Sequence, residues 1–512
     1  MKYRIIKIFL SLILGFFLIH LFSLNKLEAG LYTLKAESKS AEKKISESWM
    51  GVYMKGIKVG YSHSQELMID QQGKRFKKSL NESWLRVTRL GGNPVEIKTI
   101  EESLYDEKDK PLKVLVRTKM AENETFIRAE ITPDKILFKA GDKVAKEMPY
   151  NEEFYLGIPL KKIVQERGLA AGRKYEFKIL DPISYSLVTS QVEVLGREEV
   201  LILGKKMNLW HVKSETAFII PLTTEEWIDN KGEVWKSETK TSFLTTTSIK
   251  MSKEKALKIS GENFDIAFSS LIRSNVSFDN PQQLRKITFK LSGISPDRIK
   301  KFPFDDGSQR ILEIKDDYAL IQTTSQILTD KEAVNLPITD EKLSKFLKPS
   351  FFCQSDDPEI KKAAQEIVGQ EKNSWRAAKK IAEWVNREIT ANYDVGFASA
   401  KEIIKNRQGD CSEYTVITVA LCRAAGIPAR AAVGIMYGQG FFAYHMWPEV
   451  YVGRWIGLDS KWLATDEASG QYYTDATHIK FGRSLLDENI FKEMAQAVSE
   501  IIGQLKLEII DY

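Results

Sequence analysis

Cysteine is scarce in this chain, which has only Cys353, Cys411 and Cys422 among its 512 residues. Exported domains that depend on disulfide bonds carry many cysteines, usually in even number, so that class of protein is excluded. If residues 411 to 425 form a helix, Cys411 and Cys422 lie about 16 Å apart along its axis and cannot pair. Cys353 and Cys422 are best interpreted as small core residues. The sequence does not exclude a disulfide bond between Cys353 and Cys411.

Proline and net charge are low as well. Only 15 prolines argue against long disordered linkers, and the content of 43% hydrophobic and 28% charged residues is typical of a globular protein. The formal net charge is +6, with lysines spread among many acids, which gives no dedicated nucleic-acid surface. The length exceeds one ordinary core, so we expect two to four domains.

The N-terminus predicts export. A basic start, MKYRIIK, precedes the apolar run of residues 8–24, and the polar stretch NKLEAG follows. Leu27-Glu28-Ala29 is a poor match to a cleavage site, and the run is near the short end of a membrane-spanning helix, so residues 1–29 are a signal peptide or an N-terminal membrane anchor. The prediction is a periplasmic or other extracytoplasmic location, with anchoring in the inner membrane left open.

The pattern along the chain predicts further segments. Short alternating runs of β-branched and aromatic residues, separated by turn signals, indicate a β-rich region over residues 30–260, whose last clear hairpin is EWIDNKGEVWKSE. A mixed β linker domain is expected over 261–335. The catalytic domain is expected over 336–485, and a C-terminal helical tail over 486–512.

Residues 336–485 carry the pattern of an α+β domain. The stretch NSWRAAKKIAEWVNREI begins with an Asn-Ser cap and repeats apolar residues at helical spacing, and CSEYTVITVALCRAAG is a further helix closed by Gly426 and Pro428. Strands follow as ARAAVGIMY, a GQG turn, FFAYHMWPEVYV and WIGLDS. Helices followed by an antiparallel sheet are an α+β order.

The chemistry lies in this second half. Cys411 opens a helix, where the helix dipole favours a thiolate, while His445 lies in a strand and Asp459 ends the next strand. A nucleophilic thiol needs a base, and the base needs an acceptor that holds its tautomer, so these three supply every role. His445 and Asp459 share a face only if the loop around Gly453 has an odd number of residues, such as three or five with Gly453 at positive φ.

These motifs resemble the transglutaminase-like superfamily, circularly permuted relatives of the papain-like cysteine proteases. The matching stretches are QGDCSEYT, RAAGIPARAAVGIMY and YHMWPEVYVGRWIGLDS, preceded by DDPEIKKAAQEIV and WVNREI. The resemblance implies a papain-like core with Cys411 as nucleophile, His445 as general base and Asp459 as the residue that orients it. One departure is that Ser460-Lys461 follows the aspartate, where such proteins usually have Pro-Thr.

The predicted function is acyl transfer or hydrolysis at protein or peptide amide bonds through a thioester on Cys411. An indole N–H of Trp375 or Trp384 is a candidate for the oxyanion site. No cofactor or metal is expected, because the triad needs none and the chain shows no calcium-loop signature. The alternatives are a cysteine peptidase or amidase of the same fold, and a non-catalytic binding or assembly factor at the cell envelope.

Overall fold

The structure is a computed structural model that describes residues 41–512 with short gaps. The gaps are 72, 89–93, 121–122, 141–142, 151, 183–184, 219–221, 242–243, 260, 262–263, 266–270, 393–396, 460–471, 488–489, 491–492, 495–496, 498–500 and 502. The predicted signal or anchor, residues 1–29, lies outside the described residues. None of the helices in the described part has the length and apolarity that a membrane span requires.

The chain divides into two compact units, with the boundary between Asp265 and Ile266. The first unit contains the predicted β-rich region. The residues predicted as a separate linker domain, 261–335, fall almost entirely in the second unit. The strands of that segment pair with strands from the far end of the chain, which joins the segment to the second unit.

The described part of the first unit is one antiparallel sheet of fourteen strands. Each strand pairs with its neighbour in the chain, except that β1 pairs with β14, which leaves β8 and β9 at the edges. The strands are β1 Ala41–Met54, β2 Ile57–Gln71, β3 Lys74–Val87, β4 Val95–Tyr105, β5 Pro111–Met120, β6 Asn123–Ile131, β7 Lys135–Ala140, β8 Lys143–Pro149, β9 Lys174–Asp181, β10 Ser186–Ile202, β11 Lys205–Thr216, β12 Leu222–Ile228, β13 Val234–Lys240 and β14 Thr245–Lys250. The short helices are α1 Leu160–Lys162, a π-helical turn at Ile163–Arg167, and α2 Lys253–Leu257.

Local turn chemistry explains this strand order. The predicted hairpin between β12 and β13 is confirmed: Asp229 accepts hydrogen bonds from the backbone N–H groups of Lys231 at 2.8 Å and Glu233 at 3.0 Å, and Gly232 has φ 80°. Lys55 and Gly56, between β1 and β2, have φ 48° and 82°. A two-residue turn with positive φ at both positions matches the twist of paired strands, so neighbours in the chain become neighbours in the sheet.

The described part of the second unit contains three further sheets. A five-stranded sheet has the order β15-β22-β21-β24 with β23 paired to β22, a four-stranded sheet has the order β17-β18-β16-β25, and β19 pairs with β20 in parallel. The strands are β15 Ile272–Arg273, β16 Lys286–Ser292, β17 Gln309–Ile314, β18 Tyr318–Thr324, β19 Thr390–Ala391, β20 Gln408–Gly409, β21 Ala429–Gly438, β22 Phe441–Tyr451, β23 Trp455–Gly457, β24 Ile479–Ser484 and β25 Lys506–Asp511.

The helices of the second unit lie mainly before its five-stranded sheet in the chain. They are α3 Pro296–Ile299, α4 Pro358–Val368, α5 Ser374–Glu388, α6 Ala400–Asn406 and α7 Cys411–Ala424, with 3-10 turns at Pro281–Gln283 and Glu341–Phe346. The α+β prediction is confirmed in part, because α4 to α7 precede β21 to β24, whereas β15 of the same sheet precedes the helices.

The predicted caps hold the helices that matter for the site. Asn373 accepts hydrogen bonds from the backbone N–H groups of Trp375 at 3.1 Å and Arg376 at 3.0 Å, which starts α5. Gly426, at φ 82°, ends α7, and the backbone N–H of Ile427 returns to the carbonyl of Cys422. Residues 411–423 of α7 are all buried, and the helix packs against α4, α5, α6, β21 and β22. It is the central helix of the unit.

The C-terminal segment differs from the prediction. The sequence predicts a helical tail over residues 486–512. The described residues Ile490, Glu493, Met494 and Ala497 are helical, but Lys506–Asp511 is a strand, β25, that pairs with β16. Leu507 and Ile509 are buried on one side, while Glu508 and Ile510 are exposed. The alternation in KLEIID has the period of a half-buried strand, and pairing with a distant strand fixes it there.

Candidate active site

Cys411 is the first residue of α7, as the sequence predicts. Asp410 precedes it in an extended conformation, and its carboxylate accepts hydrogen bonds from the backbone N–H of Ser412 at 2.9 Å and from the Ser412 hydroxyl at 2.6 Å. Cys411 is only 1% exposed. The thiol therefore lies at the N-terminal end of a buried 14-residue helix, where the backbone N–H groups favour a thiolate.

A second buried acid completes this helix start. Glu413 accepts hydrogen bonds from the backbone N–H groups of Asp410 at 2.9 Å and Ala398 at 3.1 Å. Burial and the neighbouring charge of Asp410 raise the pKa of the Glu413 carboxyl well above its ordinary value. A Cβ atom at position 409 would come within 2.1 Å of Glu413 Cβ, so the close packing requires Gly409. Both residues of the Gly-Asp pair before the cysteine therefore have structural roles: Gly409 leaves room for Glu413, and Asp410 caps the helix.

His445 lies within β22, next to the helix that begins at Cys411, because α7 packs against both β21 and β22. The loop between β22 and β23 has three residues, 452–454, and Gly453 has φ 118°. The pairs Tyr451–Trp455 and Glu449–Gly457 fix its register. The predicted odd loop length with Gly453 at positive φ is confirmed.

This hairpin brings His445 and Asp459 together. His445 Nε2 lies 3.4 Å from Asp459 Oδ2, and both residues are buried, 1% and 9% exposed respectively. The segment that follows the aspartate, including the Ser460-Lys461 departure, lies outside the described residues. The geometry suits an imidazole that takes a proton at one nitrogen while a carboxylate holds the other.

A second histidine, His478, contacts the same carboxylate. Its Nε2 lies 3.6 Å from Asp459 Oδ2, and its Nδ1 lies 3.1 Å from Asp475 Oδ1. The motif Asp475-Ala-Thr-His478 precedes β24 and was missed in the sequence. An acid three residues before a histidine is a weak signal by itself, and only pairing of β24 with β21 brings it to the site.

Charge at this cluster follows from its contacts. Burial alone would raise the pKa of the Asp459 carboxyl, but the contacts with His445 and His478 outweigh it and hold that pKa well below its ordinary value. Burial disfavours the charged form of His478, yet Asp475 and Asp459 outweigh it and raise the His478 pKa to about 9. The two flanking carboxylates thus favour the protonated form of the His478 imidazole.

Trp447 forms a wall of the cluster. Its ring lies 5.0 Å from that of His478 in an edge arrangement and stacks 5.9 Å from that of His445. Two glycines leave space for the indole: a Cβ atom at Gly434 would lie 2.9 Å from Trp447 Cη2, and one at Gly457 would lie 3.2 Å from Trp447 Nε1. The sequence indicates a core aromatic here, and the structure places this buried side chain against both imidazoles.

Comparison with known proteins finds a family for the segment that carries these residues. The sequence model of the transglutaminase-like superfamily matches residues 361–465, a range that includes Cys411, His445 and Asp459. This segment is a transglutaminase-like domain. The resemblance inferred from the motifs is therefore confirmed over that range.

Individual relatives are distant. An uncharacterized protein of Haemophilus influenzae is 26% identical over 133 residues, which are 25% of this chain and 35% of that protein, so the match spans about a third of the relative's length. A candidate cysteine protease from Cytophaga hutchinsonii covers 45% of this chain and 82% of its own, at 19% identity and TM-score 0.29. A β-barrel-like protein of a domain of unknown function from Brucella abortus covers 40% of this chain and 95% of its own, at 11% identity and TM-score 0.31.

The two tryptophans proposed for the oxyanion site occupy different environments on α5. Trp375 is buried in the first turn, with the Lys379 ammonium 5.8 Å from its ring. Trp384 is half-buried, and the Arg407 guanidinium lies 4.5 Å from its ring. Arg407 immediately precedes the β20 segment that leads to Cys411, so Trp384 lies beside the chain that enters the nucleophile turn. Trp375 and Trp384 both stay predictions for the oxyanion donor.

The other two cysteines are buried core residues of the second unit. Cys353 and Cys422 are both 0% exposed. Burial raises the pKa of the Cys353 thiol to about 11 and that of the Cys422 thiol further still. The described structure contains no disulfide among the three cysteines, so the bridge from Cys353 to Cys411 is not formed.

The cluster also has the chemistry of a metal site. The ligand atoms of His445, Asp459 and His478 all lie within 4.8 Å of one another, and two imidazoles with one carboxylate are a set that first-row transition metals accept. The same contacts are also those of ion pairs that need no metal. The two interpretations differ in their response to chelation.

Proposed function

We propose that the protein is an extracytoplasmic thiol enzyme of the transglutaminase-like superfamily that acts on protein or peptide amides. Cys411 is the nucleophile, His445 the general base and Asp459 the residue that orients it. The observation that carries the proposal is the buried contact of 3.4 Å between His445 Nε2 and Asp459 Oδ2, on a hairpin against which the Cys411 helix packs.

The reaction follows from these roles. The Cys411 thiol gives its proton to His445, and the thiolate attacks the amide carbon to form a tetrahedral oxyanion. The C–N bond then breaks as His445 returns the proton to the leaving amine, and a thioester remains on Cys411. An incoming amine resolves the thioester to a new amide, whereas water resolves it to a carboxylic acid.

Incubation of the full chain with a fluorescent primary amine and envelope proteins tests the activity. Amine incorporation that disappears in Cys411→Ala and persists in Cys422→Ala, a matched buried cysteine, supports acyl transfer. Deamidated glutamine or a cleaved peptide bond with the same dependence supports hydrolysis. No product, together with an unreactive Cys411 thiol, would overturn the proposal in favour of a binding or assembly factor.

The location has a separate test. The basic and apolar N-terminus predicts that residues beyond about 30 lie outside the cytoplasm. External protease should therefore degrade the protein in intact spheroplasts. If the protein resists protease in intact spheroplasts and is degraded only after lysis, the extracytoplasmic location is contradicted. The proposed reaction is not affected by that result.

A further inference from the structure

His478 approaches the same oxygen of Asp459 as the proposed base His445 does. Its Nε2 approaches Asp459 Oδ2 at 3.6 Å, and the rings of His445 and His478 are 5.6 Å apart. Strand β21 brings them together: Gly434 pairs with His445 on β22 at one side and with Lys480 on β24 at the other. The two imidazoles thus share one carboxylate across a strand that has no side chain at that position.

From this arrangement, and resting on the proposed function, we propose that His478 is a positioning residue that holds the Asp459 carboxylate in the orientation that His445 needs. Asp459 lies two residues beyond the end of β23, so regular strand pairing does not fix its side chain. Two imidazoles that converge on Oδ2, at 3.4 Å and 3.6 Å, hold it instead. Asp459 then stays turned toward His445 while that imidazole gains and loses a proton.

His478 is itself well held. Its Nδ1 faces Asp475 at 3.1 Å, and the Asp475 carboxylate also accepts hydrogen bonds from the Thr477 backbone N–H at 2.8 Å and from the Thr477 hydroxyl at 2.6 Å. The edge of Trp447 packs against its ring. A group locked by such outer contacts transmits a fixed geometry to the residue that it touches.

The test compares two substitutions at one position in the full chain. Glutamine at 478 keeps an N–H donor near the place of Nε2 without the charge, and alanine removes the donor. The rate at which iodoacetamide alkylates Cys411, and kcat with the amine probe, should fall about tenfold or more in His478→Ala and stay within about threefold of wild type in His478→Gln. Asp475→Asn keeps His478 but weakens the contact that holds its ring. Its two rates should lie between those of the two variants at 478, and it replaces His478→Ala in the test if that variant does not fold.

A matched control exists in the other unit. His211 is also flanked by two carboxylates, with Glu198 at 3.0 Å and Glu225 at 2.9 Å. His211→Gln and His211→Ala should leave both rates unchanged. A loss at His478 that glutamine does not rescue would overturn the positioning role, and so would wild-type rates in both variants at 478.

Two further outcomes separate this inference from others. If EDTA lowers the wild-type rates and added Zn²⁺ restores them, the cluster is a metal site and the positioning role is wrong. If Cys411 alkylates no faster than Cys353 and Cys422 in the wild type, the proposed function fails by itself. A reactive Cys411 that is indifferent to position 478 contradicts only the role of His478.

Discussion

Two buried carboxylates on one hairpin of the second unit, Glu449 and Asp459, differ in their partners. Glu449 contacts Arg430 at 2.6 Å and Arg483 at 3.4 Å, and it also bonds Lys480. Asp459 contacts two imidazoles. Guanidinium and ammonium groups stay charged throughout the physiological pH range, whereas His445, the proposed base, must gain and lose a proton. The first carboxylate therefore suits a permanent structural role, and the second suits the orientation of a base.

The Glu449 cluster ties several elements together. Arg430 comes from β21, Glu449 from β22, Lys480 and Arg483 from β24, and Asp306 from the segment before β17. Lys480 lies 2.5 Å from Asp306 and Arg430 lies 3.6 Å from it. Glu449 is the carboxylate nearest in sequence that could have served His445 instead of Asp459, and its cationic partners explain why Asp459 is the better partner.

The largest expected effect is on stability at Glu449. Glu449→Gln leaves Arg430 and Lys480 as buried cations with one acid fewer, so the free energy of unfolding should fall by about 3 kcal/mol or more. Urea unfolding measures it, with the exposed Glu366→Gln as control. A Glu449→Gln protein as stable as wild type would show that the network does not stabilise the fold.

The next effect is on activity at Asp459. Asp459→Asn keeps shape and volume but removes the charge that stabilises the His445 imidazolium, so activity should fall about a hundredfold or more with little change in melting temperature. Activity with the amine probe and a thermal melt measure the pair of outcomes. If Asp459→Asn unfolds or aggregates, Asp459 is a structural acid like Glu449. If the variant is folded and fully active, Asp459 has no role in the mechanism.

A smaller effect is expected on the alkylation rates of the three cysteine thiols. Cys411 should alkylate at least about tenfold faster than Cys353 or Cys422 near neutral pH, because burial raises the pKa of the latter two. His445→Ala should slow the reaction at Cys411 and leave the other two unchanged. Peptide mass analysis after timed iodoacetamide treatment gives all three rates in one sample, and equal rates would contradict the assignment.

The smallest expected effects are on the pH dependence of stability, where His478, a partner of Asp459, and Glu449 act at opposite ends of the pH range. His478, with its pKa raised from 6.5 to about 9, contributes stability that is complete below about pH 6.5 and is lost as pH rises through about 9. Glu449, with its pKa lowered from 4.5 chiefly by Lys480 and Arg430 against burial, contributes stability that is present above about pH 4.5 and is lost on acidification.

Melting temperatures from pH 4 to pH 10 measure both effects: the loss of stability toward acid pH, called the acid limb, and the loss toward alkaline pH, called the alkaline limb. His478→Gln should flatten the alkaline limb and leave the acid limb, and Glu449→Gln should do the reverse. Variants whose curves run parallel to that of the wild type would show that neither group is linked to folding in this way.

Local chemistry was readable in the sequence. The Asn373 cap, the helix end at Gly426 and the odd-length loop at Gly453 depend on residues within a few positions of one another. The order of Cys411, His445 and Asp459 along the chain was also readable, and the superfamily match covers all three residues. Such features are specified by backbone conformations that few residue types can adopt.

Only the tertiary structure decided what depends on distant partners. The strand at Lys506–Asp511 exists because β16 accepts it, and Glu449 became a structural acid because β21 and β24 bring three cations to it. His478 reached the site only through the pairing of β24 with β21. Burial and ion pairing arise from contacts between residues far apart in the chain, so local sequence determined which side chains were available and packing determined which of them meet.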